Sequence, residues 1–73
     1  MAININTKMS EIFEKYPWLP KEMVSADAAF GIINSPVGKM LLQNATVKDL
    51  VGKIGMSPED AVEKINALIA SHQ

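Results

Sequence analysis

The chain has 73 residues, 48% of them hydrophobic, and a formal net charge of −1 at neutral pH. It contains no cysteine and one histidine, which excludes disulfide frames, thiolate metal sites, thiol redox chemistry and most all-protein transition-metal sites. A chain this short buries only a small core, so we expect one domain that gains stability from a partner chain, most simply a second copy, or from well-packed helices.

The start of the chain, MAININTKM, lacks the basic region and the long apolar core of a signal peptide. No apolar run approaches the roughly 20 residues of a membrane span. We therefore expect a cytoplasmic protein with no membrane partner. The near-neutral charge likewise provides no electrostatic footprint for nucleic acid.

The first residues alternate between apolar and polar side chains, with Ile3 and Ile5 on one side. A period of two predicts an extended arm over residues 1–6 that buries its isoleucines. We expect this arm to lie on the helices of its own chain, and a strand that pairs across a dimer is the alternative.

Two helices are predicted after the arm. Thr7 is placed to cap the first helix, and Pro17 ends it because proline disfavours helical geometry in the residue before it. The second helix begins at about Pro20 and stops at Gly31. The apolar stripes of the two helices are Met9, Ile12, Phe13 and Tyr16, and then Trp18, Leu19, Met23, Ala26 and Phe30.

Three further helix starts are marked by a capping residue, twice followed by proline: Ser35-Pro36, Thr46 and Ser57-Pro58. The third helix should end at residues 43–44 and the fourth at Gly55, and the last should cover residues 58–71. The sequence thus predicts an all-α single small domain of about five short helices over residues 7–71, preceded by the short arm.

The titratable side chains show no catalytic constellation. The acids are explained by caps, helix dipoles and solvated faces, and none has a partner at a catalytic spacing. Ser35 lacks a nucleophile context, and His72 is interpreted as an exposed residue of a fraying last turn. Trp18 is expected to be half-buried, with a role as a partner anchor as the alternative. We predict a non-enzymatic protein with no catalytic residue, metal or cofactor.

Residues 46–68 have the pattern of a helix-turn-helix around Gly55. Its second helix opens with Glu59, Asp60 and Glu63, and the chain contains no arginine. Acids that face phosphates disfavour binding, so nucleic-acid recognition is the last-ranked hypothesis.

Three segments in this order, MSEIFEKYPWL, AAFGIINSP and ATVKDLVGKIGMSPEDAVEKINALI, resemble a family of short bacterial helical domains of unknown function. Members of that family also occur beside hybrid-cluster proteins and have been described as redox-disulfide domains. The resemblance covers the chain from about Thr7 to Ile69. It implies the fold and no particular substrate.

Many relatives in that family carry a C-x-x-C just after the aromatic residue that corresponds to Phe30. Alignment on Phe30 and Pro36 places Ile32 and Ser35 at the two cysteine positions. A thiol at a helix N-terminus is reactive because its pKa is depressed, whereas isoleucine and serine support neither disulfide nor metal chemistry. The resemblance therefore implies the scaffold of the family without its thiols.

Two kinds of site are predicted around this loop. The first is a contact surface for a homodimer or another protein, because apolar residues are in excess there: Ile32, Ile33, Val37, Met40 and Leu41. The alternative is a small-ligand or anion site at the start of the third helix, formed near Asn34, Ser35, Val37 and Gly38. The sequence leaves open whether residues 31–36 are core, interface or ligand site.

Overall fold

The computed structural model describes residues 3–72 and is all-α, as the sequence predicts. The helices in chain order are α1 (Met9–Lys15), α2 (Leu19–Ala26), a 3₁₀ helix (Ala28–Asn34), α3 (Pro36–Leu41), α4 (Val47–Gly52) and α5 (Pro58–His72). Within residues 3–72 no strand forms, and one isolated antiparallel bridge joins Lys8 to Thr46. The 3₁₀ helix is an element that the sequence pattern does not predict.

The N-terminal arm lies against the start of α4, but it is not extended throughout. Residues 1 and 2 of the predicted arm lie outside the described residues. The N–H of Thr7 donates to the carbonyl of Asn4 at 3.1 Å, which closes a turn, so the predicted extended arm is bent at residues 4–7. The carbonyls of Ile5 and Thr7 accept from the N–H groups of Lys48 and Val47, both at 3.0 Å. The arm thus bonds to its own chain and satisfies donors that a helix start leaves free.

Of the two predicted boundaries of α1, the end is confirmed and the capping residue at the start is wrong. Pro17 ends the helix as predicted, because α1 stops at Lys15 and Tyr16 leaves helical geometry with φ −125° and ψ 77°. Thr7 is not its cap. The cap position is Lys8, without a side-chain hydrogen bond, and Thr7 Oγ1 instead accepts from the N–H of Asn4 at 2.9 Å within the arm turn.

The second helix ends earlier than predicted, at Ala26 instead of Gly31. Asp27 is extended, with φ −150° and ψ 115°, and its carboxylate accepts from the N–H of Ala29 at 3.0 Å. Aspartate competes for backbone donors in this way, which favours a cap over a helix interior. The chain restarts as the 3₁₀ helix, which places Phe30 in the core.

The later helix starts are confirmed, including the caps at Ser35 and Thr46. Thr46 Oγ1 accepts from the N–H of Asp49 at 3.3 Å, and Asp49 Oδ2 accepts from the N–H of Thr46 at 3.1 Å, which forms a capping box. α4 ends at Gly52, not at the predicted Gly55. Gly55 has a φ of 70° and forms the turn into α5, a conformation that glycine adopts without strain.

The core combines the arm with every helix except α3. Its members are Ile3, Met9, Ile12, Leu19, Met23, Phe30, Ile33, Val47, Leu50, Val51, Ala61, Ile65 and Ile69. The buried residue of α3 is Gly38, which has no side chain to contribute. α3 therefore adds no side chain to the core, and its buried glycine lies against the backbone of Ile32 in the 3₁₀ helix.

Candidate interaction surface

The outer face of α3 exposes two apolar side chains. Val37 is 63% exposed and Met40 is 73% exposed, whereas the other large apolar side chains of residues 3–72 are buried or half-buried. The two residues are three positions apart, so they share one face of the helix. Val37 and Met40 are called the α3 apolar pair below.

The other three residues of the predicted contact surface are less accessible. Ile33 is 4% exposed and belongs to the core, so its assignment to the contact surface is wrong. The 3₁₀ helix causes this, because it turns Ile33 inward beside Phe30. Ile32 and Leu41 are half-buried, and Leu41 lies near Met40. Of the three possibilities that the sequence left open for residues 31–36 (core, interface or ligand site), Ile33 belongs to the core.

α3 approaches the 3₁₀ helix too closely for a side chain at Gly38. A Cβ atom at this position would lie 1.6 Å from the carbonyl oxygen of Ile32. Ser35 joins the same two residues, because its Oγ donates to the Ile32 carbonyl at 2.8 Å and accepts from the N–H of Gly38 at 3.0 Å. Glycine permits this backbone contact, which fixes the side of α3 that faces outward.

The predicted anion site at the start of α3 has few donors to offer. The N–H of Gly38 is bonded to Ser35, and Pro36 has no N–H. Asn34 is exposed at the end of the 3₁₀ helix, and α3 has only 6 residues, which limits its dipole. Gly38 serves the packing of two helices and not the approach of a ligand, so no observation favours an anion site.

A shallow groove lies between the end of α3 and α4, and we call it the α3–α4 groove. Four apolar and four polar residues line it: Met40, Leu41, Ala45 and Gly52, with Asn44, Lys48, Asp49 and Lys53. Met40 belongs both to the groove and to the α3 apolar pair, so the two features form a continuous surface.

Lys48 and Lys53 of the groove are not among the surface residues predicted from the sequence. The available signal was the spacing of Lys48 with Gly52 and of Asp49 with Lys53, since residues four apart lie on one side of a helix. That signal shows a common side of α4 but not that this side faces Met40. Only the path of the chain between α3 and α4 brings them together.

Asp49, the acidic residue of the groove, takes part in the capping box of α4. The backbone N–H of Thr46 bonds to the Asp49 carboxylate and lowers its pKa below the ordinary value of 3.8, with smaller contributions from the Thr46 side chain and the charge of Lys48. Burial opposes this shift but is outweighed by the hydrogen bonds to Thr46, so the carboxylate is ionised at neutral pH. Lys48 and Lys53 form no ion pair with any residue of the range 3–72.

The predicted helix-turn-helix corresponds to α4 and α5, joined through Gly55. The first turn of α5 exposes Glu59 and Asp60, and Ser57 Oγ donates to the Glu59 carboxylate at 3.0 Å. The start of this helix is therefore acidic at its surface. Negative charge at this position opposes contact with phosphates.

Two other kinds of site are absent from the part of the chain that the structure describes. Among residues 3–72, no three side chains of histidine, aspartate or glutamate are grouped so that they could hold a metal ion. No helix in the same range has both the length and the apolar character needed to cross a bilayer.

In comparisons with known proteins, the chain matches no family model, no curated protein and no solved structure. The interpretation of the surface therefore depends on the residues of the chain itself. The resemblance to the redox-disulfide domains stays a hypothesis.

Proposed function

We propose that this chain is a non-enzymatic helical module that acts through protein–protein contact, and that it self-associates through the outer face of α3. The observation that carries the proposal is the exposure of Val37 and Met40, at 63% and 73%, on a helix that adds no side chain to the core. Adjacent exposed apolar side chains are typical of contact surfaces. A partner that covers them adds buried apolar area that a domain of this size lacks.

A second copy is the simplest partner for this surface. In a two-fold dimer the same patch of each copy faces the other, so Val37 and Met40 would pack against their counterparts. Ile32 and Leu41 are half-buried and would become more buried.

The family resemblance is consistent with this role and is part of the proposal. The Oγ of Ser35 lies 2.8 Å from the carbonyl oxygen of Ile32, so the two positions that correspond to the family's cysteines are neighbours. A scaffold with isoleucine and serine there retains the fold but not the thiol chemistry. The exposed surface is the feature that such a scaffold retains, which favours a role in protein–protein contact over catalysis.

Sedimentation equilibrium across a micromolar concentration range tests self-association. The diagnostic variant is the double substitution Val37→Asp and Met40→Lys, which leaves the net charge unchanged. Aspartate near the start of a helix and lysine near its end are both compatible with the helix dipole. We expect a concentration-dependent mass for the wild type and a monomer mass for the variant, with unchanged far-UV circular dichroism.

The matched control is Ser25→Lys with Asn66→Asp, which adds the same two charges at exposed positions of α2 and α5. It should associate like the wild type. A wild type that is monomeric at every concentration, or a Val37 and Met40 variant that associates normally, would contradict the proposal. Aspartate at Ile33 would not be informative, because an unpaired carboxylate in the core unfolds the domain.

A further inference from the structure

The α3–α4 groove lies in the part of the chain that has a positive charge excess. Residues 28–58 contain three lysines and one aspartate, which gives +2, whereas the remaining residues contain four lysines and seven acids, which gives −3. These values add to the net charge of −1. The exposed apolar side chains therefore belong to a segment of the chain with net positive charge, whereas the remaining residues are together acidic.

The groove itself combines an apolar surface with free positive charge. Met40, Leu41 and Ala45 supply the apolar contacts, and Lys48 and Lys53 are exposed beside them. The one acid among the lining residues, Asp49, accepts from the N–H of Thr46 in the capping box, and the charges of the two lysines and this aspartate sum to +1. No carboxylate of residues 3–72 pairs with either lysine.

We propose that the α3–α4 groove binds an amphipathic segment of a partner protein in which apolar side chains are flanked by carboxylates. The apolar side chains pack on Met40, Leu41 and Ala45, and the carboxylates pair with Lys48 and Lys53. Charge complementarity of this kind determines partner choice and association rate more than raw affinity. The inference rests on the proposed function in one respect only, that the chain acts through protein contact, and it does not require self-association.

The charge of the groove also argues against a second copy as its occupant. A two-fold dimer formed through the groove would bring together four lysines and two aspartates with a net charge of +2, and an excess of like charge at an interface is costly. Val37 is not among the residues that line the groove. A dimer through the outer face of α3 and a partner segment in the groove are therefore separable by substitution.

Fluorescence anisotropy with designed peptides tests the partner chemistry. The probe is a fluorescein-labelled dodecapeptide of repeating Glu-Glu-Leu-Leu units. One control peptide replaces glutamate with lysine and keeps the leucines, and a second replaces leucine with serine and keeps the glutamates. We expect the probe to bind about tenfold more tightly than either control, and to weaken as salt is raised.

Protein variants locate the binding. The double charge reversal Lys48→Glu and Lys53→Glu should weaken probe binding about tenfold, and Met40→Ala should weaken it as well. Lys21→Glu with Lys15→Glu is the matched control, because it reverses two exposed lysines that are not part of the groove. That control should bind the probe as the wild type does, and Val37→Asp should bind it while it loses self-association.

Four results would overturn the inference. They are no binding of the probe, equal binding of the lysine peptide, an equal loss in the matched control, and a labelled oligothymidylate that binds as tightly with the same lysine dependence. The last result would identify a polyanion site. A wild-type protein that dimerises but does not bind the probe would reject this inference alone, and probe binding by a strict monomer would reject only self-association.

Discussion

The imidazole of His72 stacks on the indole of Trp18, with ring centroids 3.6 Å apart and planes inclined by 12°. The ring of Tyr16 is edge-on to that of Trp18, with centroids 5.8 Å apart and planes inclined by 67°. The stack joins the last residue of α5 to the residue that precedes α2. His72 is exposed as the sequence predicts, but α5 reaches it in helical form and an aromatic partner contacts it there.

His72→Ala should therefore change the environment of the only tryptophan in the chain. We expect a red shift of Trp18 emission and a loss of about 0.5 kcal/mol of unfolding free energy, since aromatic pairs contribute on this scale. Fluorescence spectra and urea titrations measure both effects. His72→Phe keeps a planar ring and should restore them, and a shift of equal size in the phenylalanine variant would show that the stack is not responsible.

Gly38→Ala should destabilise the domain although alanine is the better helix former. Its Cβ would lie 1.6 Å from the Ile32 carbonyl oxygen and 2.6 Å from the carbonyl carbon, so α3 and the 3₁₀ helix must separate. We expect a loss of about 2 kcal/mol or more, as for an overpacked core. Chemical denaturation measures it.

Gly52→Ala is the matched control for Gly38→Ala. No atom lies within 4 Å of a Cβ at Gly52, which is the last residue of α4. This substitution should be neutral or stabilising by up to about 1 kcal/mol, the ordinary helix preference for alanine over glycine. Equal effects of the two substitutions would show that the close contact at Gly38 carries no energy.

The two threonines that the sequence offers as caps should respond differently to substitution. Thr46→Ala removes the side-chain acceptor of the α4 capping box and should cost about 1 kcal/mol. Thr7→Ala removes only a hydrogen bond within the exposed arm turn and should cost less. Thermal or urea unfolding of both variants measures the difference, and a larger cost at Thr7 would reverse the assignment of the cap.

The ion pair between Lys64 Nζ and Asp27 Oδ2, 2.9 Å long, joins α5 to the start of the 3₁₀ helix. The N–H of Ala29 and then Lys64 lower the pKa of Asp27 below its ordinary value of 3.8. A depressed pKa in the folded state stabilises the fold above the unfolded pKa, and that stability is lost as the pH falls through the folded pKa. The contribution is therefore present at neutral pH and absent in strong acid.

Asp27→Asn should lower the Tm at neutral pH, and the difference from the wild type should shrink as the pH falls below 3.8. Thermal melts over an acid pH series measure this dependence. Glu63→Gln is the control, because it removes a carboxylate of α5 that forms no ion pair with residues 3–72. A pH-independent effect of Asp27→Asn would mean that the amide disturbs packing and that the charge is unimportant.

Local signals in the sequence determined the all-α class and most helix boundaries. Pro17 stops α1, Ser35 and Thr46 cap their helices, and α5 begins at Pro58 after Ser57. These outcomes depend on the backbone donors and steric limits of neighbouring residues. The residues that determine these helix boundaries therefore lie within a few positions of them in the sequence.

Tertiary structure alone decided which apolar residues face solvent. Ile32, Ile33 and Val37 look equivalent in the sequence, yet Ile33 is core, Ile32 is half-buried and Val37 is exposed. The difference arises where Asp27 ends α2 and a 3₁₀ helix changes the phase of the side chains, and where Gly38 lets α3 contact Ile32. The alignment of Met40 with Lys48 and Lys53 and the stack of Trp18 on His72 also join residues of different helices. Burial and contact between helices depend on how whole elements pack, which periodicity within one element does not encode.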